Sequence, residues 1–152
     1  MLSTCWNKAI ALFESEQALP EVSAHCDVPC GVYEPDSMMW AAETVFKMDE
    51  KLAALTPPGS GDAAAWASYE NTAARMVATK EEYAQKCKKE VLILWTDYFK
   101  PEHFDKWPDL SDKVLKVTKQ CSTVKRGVST AEAQKLKDMA GEIADIFKQT
   151  KA

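Results

Sequence analysis

The chain has 152 residues, 46% hydrophobic and 28% charged, which suits one globular domain with one core. Its 19 Lys and Arg against 23 Asp and Glu give a net charge of −4, which excludes the strongly basic face that nucleic-acid binding requires. No apolar run approaches the ~18 residues needed to span a bilayer, and five cysteines are an odd number, so they cannot all pair within the chain.

Residues 1–24 come first. The apolar stretch Ala9-Ile10-Ala11-Leu12-Phe13 is followed by Glu14, Glu16 and Glu21. It is shorter than the roughly 7–15 apolar residues of a secretory signal, and the acids argue against a mitochondrial transit peptide. The segment closes on Val22-Ser23-Ala24, small residues that suit a protease. It therefore reads as the propeptide, or leader, of a cytoplasmic protein, with an organelle left open, and residues 25–152 read as the domain. Trp6, Ile10 and Phe13 can share one side of a short helix over residues 3–17, a length that is marginal alone in water.

The next nine residues are His25-Cys26-Asp27-Val28-Pro29-Cys30-Gly31-Val32-Tyr33. They gather two thiols, one of the chain's two histidines, a Pro, a Gly and a Tyr. Two cysteines and a histidine within six residues suggest a metal site. On the residues alone three accounts stay open. Zinc would want a fourth ligand, for which the sequence offers only the distant His103. A Cys26–Cys30 disulfide in a helical interaction protein is the second, and two thiols without a task the third. Cleavage between Ala24 and His25 would add a free amine, a ligand that no internal histidine has.

Beyond the loop, apolar residues recur at steps of three and four, the helical period. Met38, Ala41, Val45, Met48, Leu52 and Leu55 form one seam. Trp66, Tyr69, Ala73, Met76, Tyr83, Cys87, Val91, Leu94 and Tyr98 form a second, interrupted by Lys80. Leu110, Val114, Val117, Cys121 and Val124 form a third, and Leu136, Met139, Ala140, Ile143 and Phe147 a fourth. Pro57-Pro58-Gly59-Ser60-Gly61 separates the first two, and Asp62 can cap the second helix. Pro101 and Pro108 bracket a loop holding His103, Phe104 and Trp107. Gly127 can end the third helix, and Ser129 with Glu132 has capping-box spacing. The pattern predicts an all-α chain: an up-and-down four-helix bundle. Its second helix would run about 36 residues, or roughly 54 Å, long enough to bend or project past its partners. Cys87 and Cys121 fall on seams and read as small buried apolar residues.

His-Cys-Asp-x-Pro-Cys-Gly-x-Tyr, followed by Glu34-Pro35, closely resembles the nickel hook of the nickel superoxide dismutases. A separate stretch, Leu94-Trp95-Thr96-Asp97-Tyr98-Phe99-Lys100-Pro101 continuing to His103-Phe104, is similar to that family's sequence at the end of its second helix. The resemblance runs from His25 to the C-terminus and includes a leader ending just before the histidine.

The resemblance implies a superoxide dismutase that yields dioxygen and hydrogen peroxide through a Ni(III)/Ni(II) couple, with one nickel ion per subunit. Nickel would be held by the amine and imidazole of His25, the amide and thiolate of Cys26 and the thiolate of Cys30. Amine, amide and two thiolates suit square-planar Ni(II). Tyr33 would be the gatekeeper beside the metal. Pro29 and Gly31 would let the chain fold back so that both sulfurs face one ion, Asp27 would order the loop, and Tyr98 and Lys100 would lie against it and fix its position. The implied partners are superoxide, five further copies in a homohexamer, a leader-processing protease and a nickel chaperone, with no nucleic acid and no membrane. In the best-known branch an acid in the first helix pairs with an arginine in the second to support a neighbouring subunit. Ala41 and Tyr83 stand at those positions here, with Glu43 and Arg75 nearby. The alternative function is a non-catalytic helical protein that binds zinc or traffics nickel through the same loop.

Overall fold

The computed structural model describes residues 31–151. The leader and five of the expected site residues, His25, Cys26, Asp27, Pro29 and Cys30, lie outside them. The chain divides into two compact units, residues 1–31 and residues 32–152. The helices of the described residues all belong to the second.

Among the described residues every regular element is helical. Helix α1 spans Asp36–Ala54, α2 Ala63–Ile93, α3 Pro101–Lys106, α4 Leu110–Lys125 and α5 Thr130–Lys151. A five-residue π-helical segment, Leu94–Tyr98, continues α2 without a break. The four long helices are those of the four seams, and they make the expected bundle. The stretch after Pro101 differs from expectation: it forms the short α3 rather than a loop. Pro101 at the first helical position costs no hydrogen bond, and the His103 Nδ1 accepts the Lys100 backbone N–H at 3.1 Å. One turn is thereby capped by a side chain three residues on.

The core follows the seams. Met38, Ala41 and Val45 of α1, Cys87, Val91 and Leu94 of α2 and its extension, all five residues of the α4 seam, and Leu136, Ala140, Ile143 and Phe147 of α5 are buried. Asp62 caps α2 as expected, its Oδ1 accepting the Ala65 N–H at 2.9 Å. Ser129 caps α5 through its hydroxyl, which accepts the Glu132 N–H at 3.3 Å. The reciprocal half of that capping box is absent, because Gln120 Nε2 takes the Glu132 carboxylate at 2.7 Å. The Ser129 N–H donates instead to Asp49 at 3.4 Å.

Lys80 does not interrupt the second seam. It is 1% exposed, and its ammonium lies 3.0 Å from Asp49, itself 0% exposed. The same ammonium donates to the Gly127 carbonyl at 2.5 Å, in the turn between α4 and α5. Two buried charges are tolerated here because they pair with each other and their remaining valences meet backbone groups. The network marks one end of the four-helix part. No residue of α2 before Lys80 is buried, and Met48 and Leu52 of α1 are only half-buried. The α1–α2 hairpin therefore runs on past the α4–α5 turn, as the length of the second helix predicts. Trp66 fastens its tip by donating its indole N–H to the Gly59 carbonyl at 3.1 Å.

Candidate metal-hook site

The π segment shapes the described part of the site. In an α-helix the Phe99 N–H would reach back four residues; here it reaches the Leu94 carbonyl, five back, at 2.9 Å. The extra residue shifts the helical register by about 100°. Tyr98 and Phe99, consecutive in sequence, both turn toward the bundle as a result. Phe99 is buried and Tyr98 half-buried. Lys100 is then extended, as the residue before a proline prefers, and the helix stops.

Tyr98 is the centre of an aromatic cluster. Its ring lies 4.4 Å from Phe147, 5.4 Å from Phe99 and 5.8 Å from His103, on which it stacks at an interplanar angle of 17°. Tyr33, the last residue of the hook sequence, packs on the same ring with centroids 5.5 Å apart. Such ring pairs add about 0.5–1.5 kcal/mol each beyond their buried area. Tyr33 and Tyr98, 65 positions apart, are thus brought together. The Tyr98 hydroxyl meets Thr150 Oγ1 at 2.5 Å, and that Oγ1 lies 2.6 Å from the Phe147 carbonyl. Threonine has one hydroxyl proton, and the carbonyl can only accept, so Thr150 donates to Phe147 and Tyr98 donates to Thr150. The phenolic proton of Tyr98 is committed inside the bundle.

Lys151, absent from the sequence expectations, holds the residues just after the hook. Its ammonium donates to the Tyr33 carbonyl at 3.1 Å and to Glu34 Oε1 at 2.7 Å, over the Phe147 ring at 4.6 Å. A cation in the last turn of a helix is common because it faces the negative end of the helix dipole. Nothing in that local rule says that Lys151 reaches a residue 118 positions earlier; only closure of the bundle does. Thr150 was invisible for the same reason.

Lys100 is exposed, and its ammonium makes no ion pair among the described residues. Its backbone is what the structure uses, through the N–H bonded to His103. His103 is therefore engaged as a cap and a stacking partner. Among the described residues no three His, Cys, Asp or Glu side chains converge as a metal-ligand set. Gly31, two residues before Tyr33 in the hook sequence, has φ +64°, the left-handed region that glycine enters without strain.

Glu43 and Arg75 do not form a pair with each other. Glu43 lies 2.5 Å from Lys137 of α5, whose ammonium also sits over Phe46 at 4.4 Å. Arg75 is exposed on the projecting part of α2. Ala41 is buried and Tyr83 packs half-buried against the core. The two positions that carry an acid and an arginine in the best-known branch carry packing residues here.

The family model described as nickel-containing superoxide dismutase matches residues 20–151, nearly the whole chain and all of its described helices. The chain belongs to that family. It is 38% identical over 130 residues to a protein of Streptomyces coelicolor named superoxide dismutase [Ni], a match that covers 86% of this chain and 90% of the relative. A protein of the same name from Streptomyces seoulensis is 37% identical over 131 residues, again 86% of this chain and 91% of the relative. A solved native nickel superoxide dismutase superposes with a TM-score of 0.70 at 38% identity, covering 84% of this chain and all of that one. An apo structure described by the same name gives 0.66 at 35% identity, covering 80% of this chain and 98% of that one. The chain is accordingly an oxidoreductase whose cofactor is nickel. Among its described residues no helix is long and apolar enough to cross a membrane.

Proposed function

We propose that the chain is the precursor of a nickel superoxide dismutase whose hook is completed by cleavage between Ala24 and His25. The observation that carries this is the nonapeptide His25–Tyr33 in a chain of this family, with Tyr33 seated on the Tyr98 shelf. Residues 1–24 are the leader and residues 25–152 the working domain. After the cut, His25 offers amine and imidazole, Cys26 its amide nitrogen and thiolate, and Cys30 its thiolate. This donor set fits nickel: two anionic thiolates and the nitrogens of His25 and Cys26 are the soft and borderline ligands that would hold it and bring its one-electron couple into range. When bound, nickel supplies the one-electron couple by which one superoxide becomes dioxygen and another, with two protons, becomes hydrogen peroxide.

The chain's own residues orient and guard that centre. Asp27 and Pro29 serve to order the loop that carries the two thiols. Tyr33 limits access and offers its hydroxyl to a small ligand or water. Tyr98 is a positioning residue: its proton belongs to Thr150, so it is no proton source for peroxide. Lys100 presents an exposed ammonium that favours an approaching anion, whereas the charge of Lys151 is offset by Glu34. The domain works as a homohexamer in the cytoplasm with one nickel per subunit, after a protease removes the leader and a nickel chaperone loads the metal. A short hook on one narrow bundle gains rigidity from neighbouring copies.

The test is intact mass and metal content of protein purified from its own host, alongside a variant retaining one residue before His25. The expected result is a mass beginning at His25, one nickel per chain, and dismutation that the extended variant lacks. Full activity in the extended variant would overturn the amine ligand. Stoichiometric zinc without dismutation would instead favour a metal-binding module.

A further inference from the structure

We propose that Cys87 and Cys121 form a second thiol pair, separate from the hook, which hydrogen peroxide converts to a disulfide joining α2 to α4. Both side chains are 0% exposed, and they are the two free cysteines among the described residues. Their positions face each other across an antiparallel helix pair. One residue beyond each, Lys88 Nζ meets Ser122 Oγ at 3.4 Å; on the other side, Gln85 Oε1 accepts from Lys125 Nζ at 3.0 Å. These two contacts set the register of the facing helices and place Cys87 and Cys121 opposite each other, where each thiol is the strongest influence on the other's protonation. The surrounding core is Ala84, Val91, Val117 and Val124, all buried and none of them oxidisable. The heptad-like seam asks only for a small apolar residue at each place, and alanine or valine would satisfy it. Two buried thiols that face each other across a helix pair do more than fill space.

The electrostatics divide the roles. The hydrogen bond to Cys121, with burial, pushes the Cys87 thiol up, so it keeps its proton. The hydrogen bond from Cys87 pulls the Cys121 thiol down against the effect of burial, with the positive charges of Lys88 and Lys125 helping. Lys88, which reaches Ser122 beside Cys121, and Lys125, one turn further along α4, favour a thiolate at Cys121, so Cys121 is the nucleophile and Cys87 the resolving thiol. The Cys121 thiolate attacks one oxygen of hydrogen peroxide, the O–O bond breaks, hydroxide leaves, and the sulfur becomes a sulfenic acid. The Cys87 sulfur then attacks the sulfenic sulfur, and its proton departs with the hydroxyl as water. In total two thiols lose two electrons and two protons, and one peroxide becomes two waters. The oxidant is the product of dismutation, so its supply from within rests on the function proposed above. Peroxide is small and uncharged, and it reaches a fully buried pair only when α2 and α4 part transiently. The pair thus responds slowly, to sustained peroxide rather than to each turnover.

The experiment treats processed, nickel-loaded protein with a few equivalents of hydrogen peroxide, or with an enzymatic superoxide source, and maps the cysteines by peptide mass spectrometry. The expected product of both arms is a Cys87–Cys121 linked peptide pair, two hydrogens lighter than the sum of its parts. Cys87→Ala should lose that species and leave Cys121 oxidised singly or capped by added thiol. A link formed by added peroxide but not under superoxide flux keeps the pair and counts against the dismutase reading. Thiols that stay reduced in the folded protein, a link that forms only after denaturation, or Cys121 carried to sulfinic acid with Cys87 untouched would each overturn the proposal. These readouts come from the parent protein, so they stand even if the variant folds poorly.

Discussion

Replacing Asp49 by alanine is the sharpest test of the buried network at the end of the bundle. Lys80 is 1% exposed and has two oxygen partners, Asp49 Oδ1 at 3.0 Å and the Gly127 carbonyl at 2.5 Å. Asp49→Ala leaves the ammonium with one neutral acceptor and no counter-charge, a change that costs about 3–5 kcal/mol for a buried pair. Ser129 also loses its acceptor, though at 3.4 Å and half-buried this adds at most about 1 kcal/mol. A loss of about 4 kcal/mol is a large share of the ~5–15 kcal/mol by which a domain is stable. At roughly 4 °C per kcal/mol for a domain of this size, the unfolding midpoint should fall by about 15 °C. Urea unfolding followed by helical circular dichroism, at one protein concentration and one nickel loading, gives the number. The double variant Asp49→Leu with Lys80→Met removes both charges and strands only backbone groups, so it should recover at least about 1 kcal/mol relative to Asp49→Ala. A single variant within about 1 kcal/mol of the parent would refute the argument, because it would mean the ammonium finds water or another partner at no cost.

Three further outcomes are expected at the site and its surroundings. Cys26→Ser and Cys30→Ser should each abolish both nickel retention and dismutation, whereas Cys87→Ala should keep the rate per nickel and lose about 1 kcal/mol of stability; metal analysis beside a superoxide assay separates them. Tyr98→Phe keeps the ring shelf under Tyr33 and should cost about 1 kcal/mol with activity within about twofold. Tyr98→Ala removes the shelf, should cost about 3–5 kcal/mol, and should cut activity even at temperatures where the variant is folded. Lys151→Met should change stability by less than about 1 kcal/mol, since its ion pair with Glu34 is 46% and 58% exposed at the two partners. A loss above about 2 kcal/mol on chemical denaturation would mean that the grip on the Tyr33 carbonyl matters far more than its exposure implies.

Much of the fold was legible because helical period is a local property. The four seams located α1, α2, α4 and α5, and Asp62 announced its cap three residues before the N–H it accepts. Errors arose where a residue's role depended on something distant. Lys80 read as an interruption because its partner Asp49 is 31 positions away and itself breaks the pattern of α1. The Ser129 capping box was half right because Gln120 and Asp49 competed for its groups. The short α3 was hidden by two prolines and depends on a histidine that caps through its ring nitrogen. In the site, Tyr33, Tyr98 and Lys100 were named from motif resemblance, while Thr150 and Lys151 carried no local signal.

The sequence by itself determined the four long helices and their apolar faces, because each depends on neighbours in the chain, and it supplied the motif through which the resemblance implies a nickel hook. The tertiary structure alone decided three things. It placed Tyr33 on Tyr98 and beneath Lys151, turned a stray lysine into the buried partner of Asp49, and set two buried seam cysteines on facing helices. All three are contacts between segments at least 31 positions apart, where helical period carries no information and bundle closure sets the geometry.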